Sequence, residues 1–138
     1  MLDWESKLGR KVDRRLKRDS VIWLTTIGPG PQPQPRPVWF FWDGKTILIY
    51  SQPNAWKLKH IARCSNVALN LNSDEEGGEV AVLLGRAAID RQAPPANRMP
   101  GYLRKYRRGI RNLGMTPTDF AAEYSVALRV RPHRLRGF

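Results

Sequence analysis

The sequence has little cysteine, little histidine and no long apolar run, and each shortage excludes a class of protein. Cys64 is the one cysteine, so an intrachain disulfide cannot form. His60 and His133 are the two histidines, which are too few and too far apart to suggest a metal site. No apolar run approaches the roughly 18 residues of a membrane span, and the N-terminus lacks signal-peptide blocks. We therefore expect one domain, residues 1–138, in the cytoplasm, with no membrane partner.

Acidic residues are also scarce, since 12 Asp and Glu stand against 24 Lys and Arg, which leaves a formal net charge of +12. The acids lie mainly in the predicted first helix and in the loop 74–79, so no carboxylate pair for acid–base chemistry is evident. No Walker, Gly-x-Gly-x-x-Gly or Gly-x-Ser-x-Gly motif occurs. We predict no catalytic side chain and no metal. The positive charge indicates an anionic partner: a nucleic acid, an anionic membrane or a phosphorylated small molecule.

The hydrophobic pattern predicts a mainly β fold with short helices. Pro33, Pro35 and Pro37 alternate in a way that suits an edge strand, and Asp43-Gly44 predicts a hairpin turn. Gly85 predicts a bend inside a long strand. Strands joined by short turns indicate an antiparallel, closed or split barrel of six strands. The predicted strands are 20–27, 33–42, 46–51, 67–71, 79–90 and 125–130, and the predicted helices are 2–18, 54–63 (Asn54 as N-cap), 100–112 and 116–124 (Thr116 as N-cap).

Two neighbouring segments could hold an anion. From Ser51 to Lys59 a strand ends and a helix begins, with Lys57 on its first turn, where free N–H groups and the helix dipole favour negative charge. The alternative is a capped helix with a solvated lysine, and we favour this alternative when the segment is considered alone. Arg36 is followed by Trp39, so a phosphate clamp and a flat wall would lie on one strand. The alternative is an arginine on an edge strand and a tryptophan in the core, and the sequence favours neither interpretation over the other.

A third segment, from Tyr102 to Arg111, interleaves basic and aromatic residues, as nucleic-acid-binding sites do. We favour a solvated basic helix face over nucleic-acid binding here. A further alternative is that Lys105 or Tyr106 reaches into a cofactor site.

The residues from Leu24 to Leu71 resemble the pyridoxamine 5'-phosphate oxidase-like superfamily of split-barrel flavoproteins. The tail resembles the subgroup that uses the deazaflavin coenzyme F420. The first resemblance is carried by Leu24-Thr25-Thr26-Ile27-Gly28, Pro35 to Gly44, Ile49-Tyr50-Ser51, Lys57-Leu58-Lys59-His60-Ile61 and Val67 to Leu71, and the second by Tyr102-Leu103-x-Lys105-Tyr106, Gly114 to Pro117 and Tyr124-Ser125-Val126.

This resemblance implies a six-stranded split barrel that forms a homodimer, with two cofactor sites at the dimer interface. Arg36 and Lys57 would then hold the phosphate, while the strand end and the ring-facing strand would contact the rest of the cofactor. The residues so implicated are Arg36, Pro37, Val38, Trp39, Tyr50, Ser51, Gln52, Trp56, Lys57, Lys59 and, on the fourth strand, Asn70.

The sequence departs from the superfamily pattern just before the lysine. Flavin-phosphate sites of this superfamily usually carry Ser or Thr and then Arg there, whereas this chain has Ala55 and Trp56. The departure favours F420, whose polyanionic phospholactyl-glutamate tail suits a broad basic surface. The resemblance thus implies an F420-dependent reductase that transfers a hydride to an unsaturated small molecule. The alternatives are an FMN-binding oxidoreductase of the same fold and a non-catalytic nucleic-acid-binding or cofactor-carrier protein.

Overall fold

A curled antiparallel sheet dominates the fold. The structure, a computed structural model, describes residues 2–138. These residues form seven strands, four α-helices and one 3-10 turn at Ala96–Arg98. The strands are β1 (Ile22–Ile27), β2 (Pro33–Val38), β3 (Phe41–Trp42), β4 (Ile47–Ser51), β5 (Asn66–Asn70), β6 (Ala81–Ile89) and β7 (Val126–Gly137), and the helices are α1 (Lys7–Arg18), α2 (Trp56–Arg63), α3 (Pro100–Asn112) and α4 (Pro117–Glu123).

The strand order is β2-β1-β5-β6-β7-β4-β3, and every neighbouring pair is antiparallel. The two edge strands, β2 and β3, are consecutive in the chain and are joined only by Trp39 and Phe40. The sheet therefore curls until its edges come near each other without pairing. This arrangement confirms the predicted mainly β, split-barrel fold. Within residues 2–138, no helix has both the length and the apolar character that crossing a bilayer requires.

The interior of the curled sheet is filled by alternate residues of its strands, as the period of two requires. Leu24, Leu69, Leu83 and Leu128 face one another from four strands and are almost fully buried. Helix α1 covers one end of this core with Val12 and Leu16. These residues supply the apolar burial that stabilises the barrel.

A second, aromatic cluster lies under α3 and fixes the link between the edge strands. Tyr106 is buried, and its ring stacks on Trp39 with centroids 4.7 Å apart and planes 5° apart. The Tyr106 hydroxyl accepts from Phe40 N–H at 2.8 Å, and the carbonyls of Ser20 (2.8 Å) and Phe40 (2.9 Å) share its proton. The helix thus holds the chain where β2 ends and β3 begins.

Lys105, the neighbour of Tyr106, holds the same link by its charge. Its ammonium donates to the carbonyl of Phe40 at 3.0 Å and to that of Leu16, near the end of α1, at 3.5 Å. It also lies 3.6 Å from the centroid of the Phe40 ring, a cation–π contact. Burial lowers the pKa of Lys105 to about 8, while the nearby Asp19 acts in the opposite direction.

Several predictions of local structure are confirmed. Asp43-Gly44 forms the turn, with Gly44 at φ 94°. Thr116 and Asp119 form a reciprocal capping box at the start of α4. The sheet register shifts between Leu84 and Gly85, where a Cβ on Gly85 would lie 2.7 Å from the Arg131 carbonyl oxygen. Helix α3 has the predicted bounds.

Two predicted elements have different bounds. Helix α1 begins at Lys7 rather than at residue 2, because the Ser6 side chain caps it by accepting from Gly9 N–H at 3.0 Å. The last strand continues to Gly137 instead of ending at Val130. Its second half is rich in arginine, which hides the strand pattern, but these side chains lie on the exposed face.

Two further predictions are wrong in detail. The strand predicted for 33–42 is interrupted at Trp39 and Phe40, so it forms two strands, β2 and β3, of the seven in the described sheet. The interruption follows from the Tyr106 hydroxyl, which takes the hydrogen-bonding groups of Phe40 that a sheet neighbour would otherwise use. Asn54 is not the N-cap of α2; Ala55 occupies that position, and its side chain forms no capping hydrogen bond.

Replacing Tyr106 by Phe should destabilise the fold. The substitution leaves the fully buried Phe40 N–H without its acceptor, which costs about 1–3 kcal/mol. Urea unfolding followed by circular dichroism would measure this as a lower midpoint with an unchanged m-value. The matched control is Tyr124→Phe, since Tyr124 is only half-buried and stacks on Phe120. Equal losses in the two variants would contradict the role given to the Tyr106 hydroxyl.

Stability should rise with pH between about 8 and 9.5, because the pKa of Lys105 is about 8 in the folded state and about 10.4 in the unfolded state. In this window the unfolded chain binds more protons, so raising the pH favours the folded state. Burial of Lys57 also lowers its pKa and acts in the same direction. Above about pH 10 the buried tyrosines, whose pKa values are raised, reverse the trend.

The measurement is urea unfolding at pH 7.5, 8.5 and 9.5. Lys105→Met should show a smaller rise in the free energy of unfolding than the wild type. Lys45→Met, at an exposed turn position, should show the wild-type rise. An undiminished rise in Lys105→Met would refute the assignment.

Candidate anion-binding site

A cavity of about 560 Å³ lies between the β1–β2 ribbon and the start of α2. Arg36 and Lys57 are the charged residues in its wall, and no acidic residue lines it. The full lining is Leu24, Thr26, Pro29, Gln34, Arg36, Pro37, Ala55, Trp56, Lys57 and His60. Its chemistry therefore suits an anion with an apolar portion.

The sheet register explains how Arg36 reaches this cavity. Arg36 lies directly opposite Leu24 on the neighbouring strand, so the two residues share one face of the sheet. Leu24 and Thr26, two residues apart on β1, both line the cavity. Because β2 is an edge strand, the Arg36 side chain has no further strand over it and stays exposed.

Helix α2 supplies the second charge. Lys57 lies in its first turn and is half-buried. Ala55 provides no side-chain cap, and Leu58 N–H donates to the Ala55 carbonyl at 3.2 Å, so the N–H groups of Trp56 and Lys57 are left for solvent or a ligand. The positive end of the helix dipole adds to the lysine charge at the same place.

The two cations share the cavity without a counter-ion. Burial lowers the pKa of Lys57, and the like charge of Arg36 lowers it further, which shows that the two groups are close enough to interact. Neither forms an ion pair with an acid among residues 2–138. An anion between them would relieve both the desolvation and the repulsion.

His60 also lies in the cavity wall, although it is not among the predicted site residues. It is 8% exposed, and its Nδ1 is 2.9 Å from Oγ1 of Thr26, another lining residue. His60 and Lys57 are three residues apart on a helix, the spacing that places side chains on one face. That spacing is the sequence signal that would have drawn attention to His60.

Four of the predicted site residues line the cavity: Arg36, Pro37, Trp56 and Lys57. Trp39 does not, because it stacks on Tyr106 and faces Phe120 in the aromatic cluster. The aromatic residue in the cavity wall is Trp56 instead, and it is 69% exposed. Val38 packs partly against the core of the barrel.

The predicted strand-end residues also lie outside the cavity wall. The Tyr50 hydroxyl donates to the carbonyl of Pro94 at 2.6 Å. The Ser51 hydroxyl donates to the backbone carbonyl of Gln52. The side-chain amide of Gln52 donates to the Glu123 carboxylate at 2.9 Å. These groups already have partners within the chain, and their predicted cofactor contacts stay predictions.

Lys59 and Asn70 complete the set. The Lys59 ammonium lies 4.4 Å from the centroid of the Trp56 ring, so it extends the basic charge along the rim. Asn70 lies opposite Trp23 on β1, whereas Arg36 lies opposite Leu24, so Asn70 and Arg36 occupy opposite faces of the sheet.

Helix α3 separates its basic and aromatic residues. Arg104, Arg107, Arg108 and Arg111 are exposed on one face, while Tyr102 and Tyr106 are buried on the other. The tyrosines therefore cannot stack on nucleic-acid bases, which supports a solvated basic face. Lys105 and Tyr106 contact the β2–β3 link rather than this cavity. Residues 2–138 hold no group of three or more His, Cys, Asp or Glu side chains arranged for a metal.

Solved structures with the same fold have different ligands in their names. An "F420 Reductase" is 24% identical over 90% of this chain and 94% of its own, with a TM-score of 0.70. A FAD-binding protein from Mesorhizobium loti is 14% identical over 89% and 88%, with a TM-score of 0.66. The heme storage protein HutZ from Vibrio cholerae is 11% identical over 96% and 95%, with a TM-score of 0.64. At these identities the likeness shows the fold alone.

No curated protein matches the sequence. A family model described as pyridoxamine 5'-phosphate oxidase matches residues 8–137 and confirms the resemblance at the level of the superfamily. Because this match spans nearly the whole sequence, the chain belongs to the pyridoxamine 5'-phosphate oxidase family.

Proposed function

We propose that this protein is an F420-dependent reductase, which transfers a hydride from reduced deazaflavin to an unsaturated small organic substrate. The observation that carries the proposal is the cavity in which Arg36 and Lys57 converge with no acid in its wall. Members of this fold class include proteins named for F420 and for FAD, so a flavin-like cofactor is the natural occupant.

The donor set fits the phosphate of such a cofactor. Arg36 offers a planar fork that matches two phosphate oxygens, and Lys57 offers a point charge at a helix start. Burial and the charge of Arg36 lower the pKa of Lys57, so a bound phosphate would offset both effects. Lys59 on the rim would meet the carboxylates of the F420 tail.

When bound, the deazaflavin supplies the hydride chemistry itself. The chain then has to bind, orient and shield the cofactor. Because the chain needs no acid or base of its own for this chemistry, a cavity wall with cations and apolar groups but no acidic residue suits the role. Pro37 and Trp56 provide the apolar surface beside the two cations.

An FMN-binding oxidoreductase is the second candidate, since a phosphate clamp serves either cofactor. Ala55 and Trp56 argue against it, because Ala55 has no side-chain donor and the Trp56 indole offers one neutral N–H where the superfamily usually has the charged fork of an arginine. The Trp56 indole is largely exposed and shapes the rim instead.

We also propose a homodimer with the cofactor sites at its interface, in the cytoplasm. The edge strand β2 is exposed almost throughout, as is the Trp56 ring beside it. A second copy laid against this surface would cover the open side of the cavity.

Arg36→Met and Lys57→Met should each weaken F420 binding by about 10- to 100-fold, the cost of one charge-assisted hydrogen bond. The measurement is quenching of F420 fluorescence, with flavin fluorescence for FMN and absorbance for haem as parallel titrations. Lys7→Met on α1 is the control for lost charge and should bind as the wild type does. Lys59→Met should weaken F420 but leave FMN unchanged, because only F420 carries the acidic tail.

Tighter binding of FMN than of F420 would favour the second candidate. Binding to arbitrary DNA that falls steeply with salt, together with no response to F420 or FMN, would overturn both.

Sedimentation equilibrium of the purified protein should give twice the mass of one chain. Trp56→Glu should shift the protein toward monomer, because a charge would replace an exposed indole at the proposed interface. Leu113→Glu is the matched control, since Leu113 is also largely exposed but lies after α3 and does not line the cavity. A monomeric wild type at micromolar concentration would refute the dimer.

A further inference from the structure

We propose that His60 is a third donor to the anion, so that binding of a phosphate-bearing ligand in the Arg36–Lys57 cavity takes up a proton. The inference rests on the proposed function in that it concerns the same cavity. It adds a residue and a pH dependence that the proposed function does not require.

The position of His60 is fixed by its neighbours. Its Nδ1 is 2.9 Å from Oγ1 of Thr26, and both residues are buried while lining the cavity. Gly28 lies beside the opposite edge of the ring, where an added Cβ would crowd Nε2 at 3.2 Å. The imidazole is therefore held at Nδ1, and Gly28 has no side chain to cover Nε2.

The second nitrogen has no partner within the chain. Within residues 2–138, Nε2 has no hydrogen-bond partner, and every fully buried side-chain nitrogen or oxygen has one. Nε2 is thus not sealed in the core. His60 lies one helical turn after Lys57, and both residues line the same cavity, so an anion held by Lys57 would lie near the His60 ring.

The charges around the ring give the direction of the pH effect. Arg36 on β2 and Lys57 on α2 are the charged groups in the wall. Strand β1 and the turn 28–32 contain no charged residue. Lys59 stands over Trp56, and Arg86, the charged residue of β6, lines a different cavity.

Without an anion, an imidazolium would be a third positive charge in this space. With an anion, it supplies a charge-assisted hydrogen bond through Nε2–H. Ligand affinity should therefore rise as the pH falls.

The first test compares the dissociation constants of F420 for the wild type and His60→Gln between pH 5.5 and 8.5. Glutamine keeps a neutral N–H donor of similar reach but takes up no proton. The ligand's own ionisations affect both proteins equally, so the ratio of the two affinities reports His60. We expect this ratio to grow about five- to tenfold in favour of the wild type from pH 8.5 to 5.5. His133→Gln, at an exposed position on β7, should keep the wild-type pH dependence.

The second test needs neither a variant at His60 nor a cofactor. The chain has two histidines, so its imidazole proton NMR spectrum contains two sets of signals, and His133→Gln assigns them. Inorganic pyrophosphate added at pH 6.5 should shift the His60 signals toward the protonated position and leave those of His133 in place. Arg36→Met should reduce the shift.

The two tests separate the possible failures. F420 binding with a pH-independent ratio and unmoved His60 signals would overturn this inference and leave the proposed function standing. Absence of F420 and FMN binding, with His60 signals that still respond to pyrophosphate, would remove the proposed function and keep His60 as part of an anion site.

Discussion

The candidate site depends on one electrostatic feature. Two positive charges share a cavity that has no acidic residue in its wall. Arg36 and Lys57 come from different elements, and each is placed by backbone structure, the first by strand register and the second by a helix start. Their mutual repulsion and the burial of the lysine cost stability. A bound anion removes that cost, and it therefore stabilises the fold as well as filling the site.

The strand that carries Arg36 is held at one side and at one end. Its prolines leave few N–H groups for a second ladder, so β2 pairs with β1 alone. Its far end is fixed by the Tyr106 hydroxyl and the Lys105 ammonium on Phe40. Helix α3 therefore supports the site without contacting it, and the aromatic cluster is the physical link between the tail of the chain and the cavity.

What the sequence predicts well depends on residues that act locally. The Thr116 capping box and the Gly44 turn need only their own neighbours, and the family motifs identify Arg36 and Lys57 as phosphate-binding candidates. The break between β2 and β3 was not predicted because it depends on a distant group, the Tyr106 hydroxyl on Phe40. Trp39 stacks on the same Tyr106, which lies 67 positions later, and its predicted cofactor contact stays a prediction.

The missed residue has a similar cause. His60 looks like an ordinary packed histidine in sequence, and its partner Thr26 lies 34 residues earlier. The packing of α2 against β1 brings His60 and Thr26 together. The helical spacing from Lys57 was available, but spacing alone does not tell which face of a short helix is buried.

The distribution of charge limits what the net charge of +12 implies about the ligand. Only Arg36 and Lys57, of the 24 basic residues, line the cavity. Much of the rest is displayed elsewhere, on the arginine face of α3 and on the exposed face of β7. The total charge therefore gives no measure of how anionic the cofactor is. Recognition of an acidic tail has to come from the rim, where Lys59 is held over Trp56, so the choice between F420 and FMN depends on a few side chains around the start of α2.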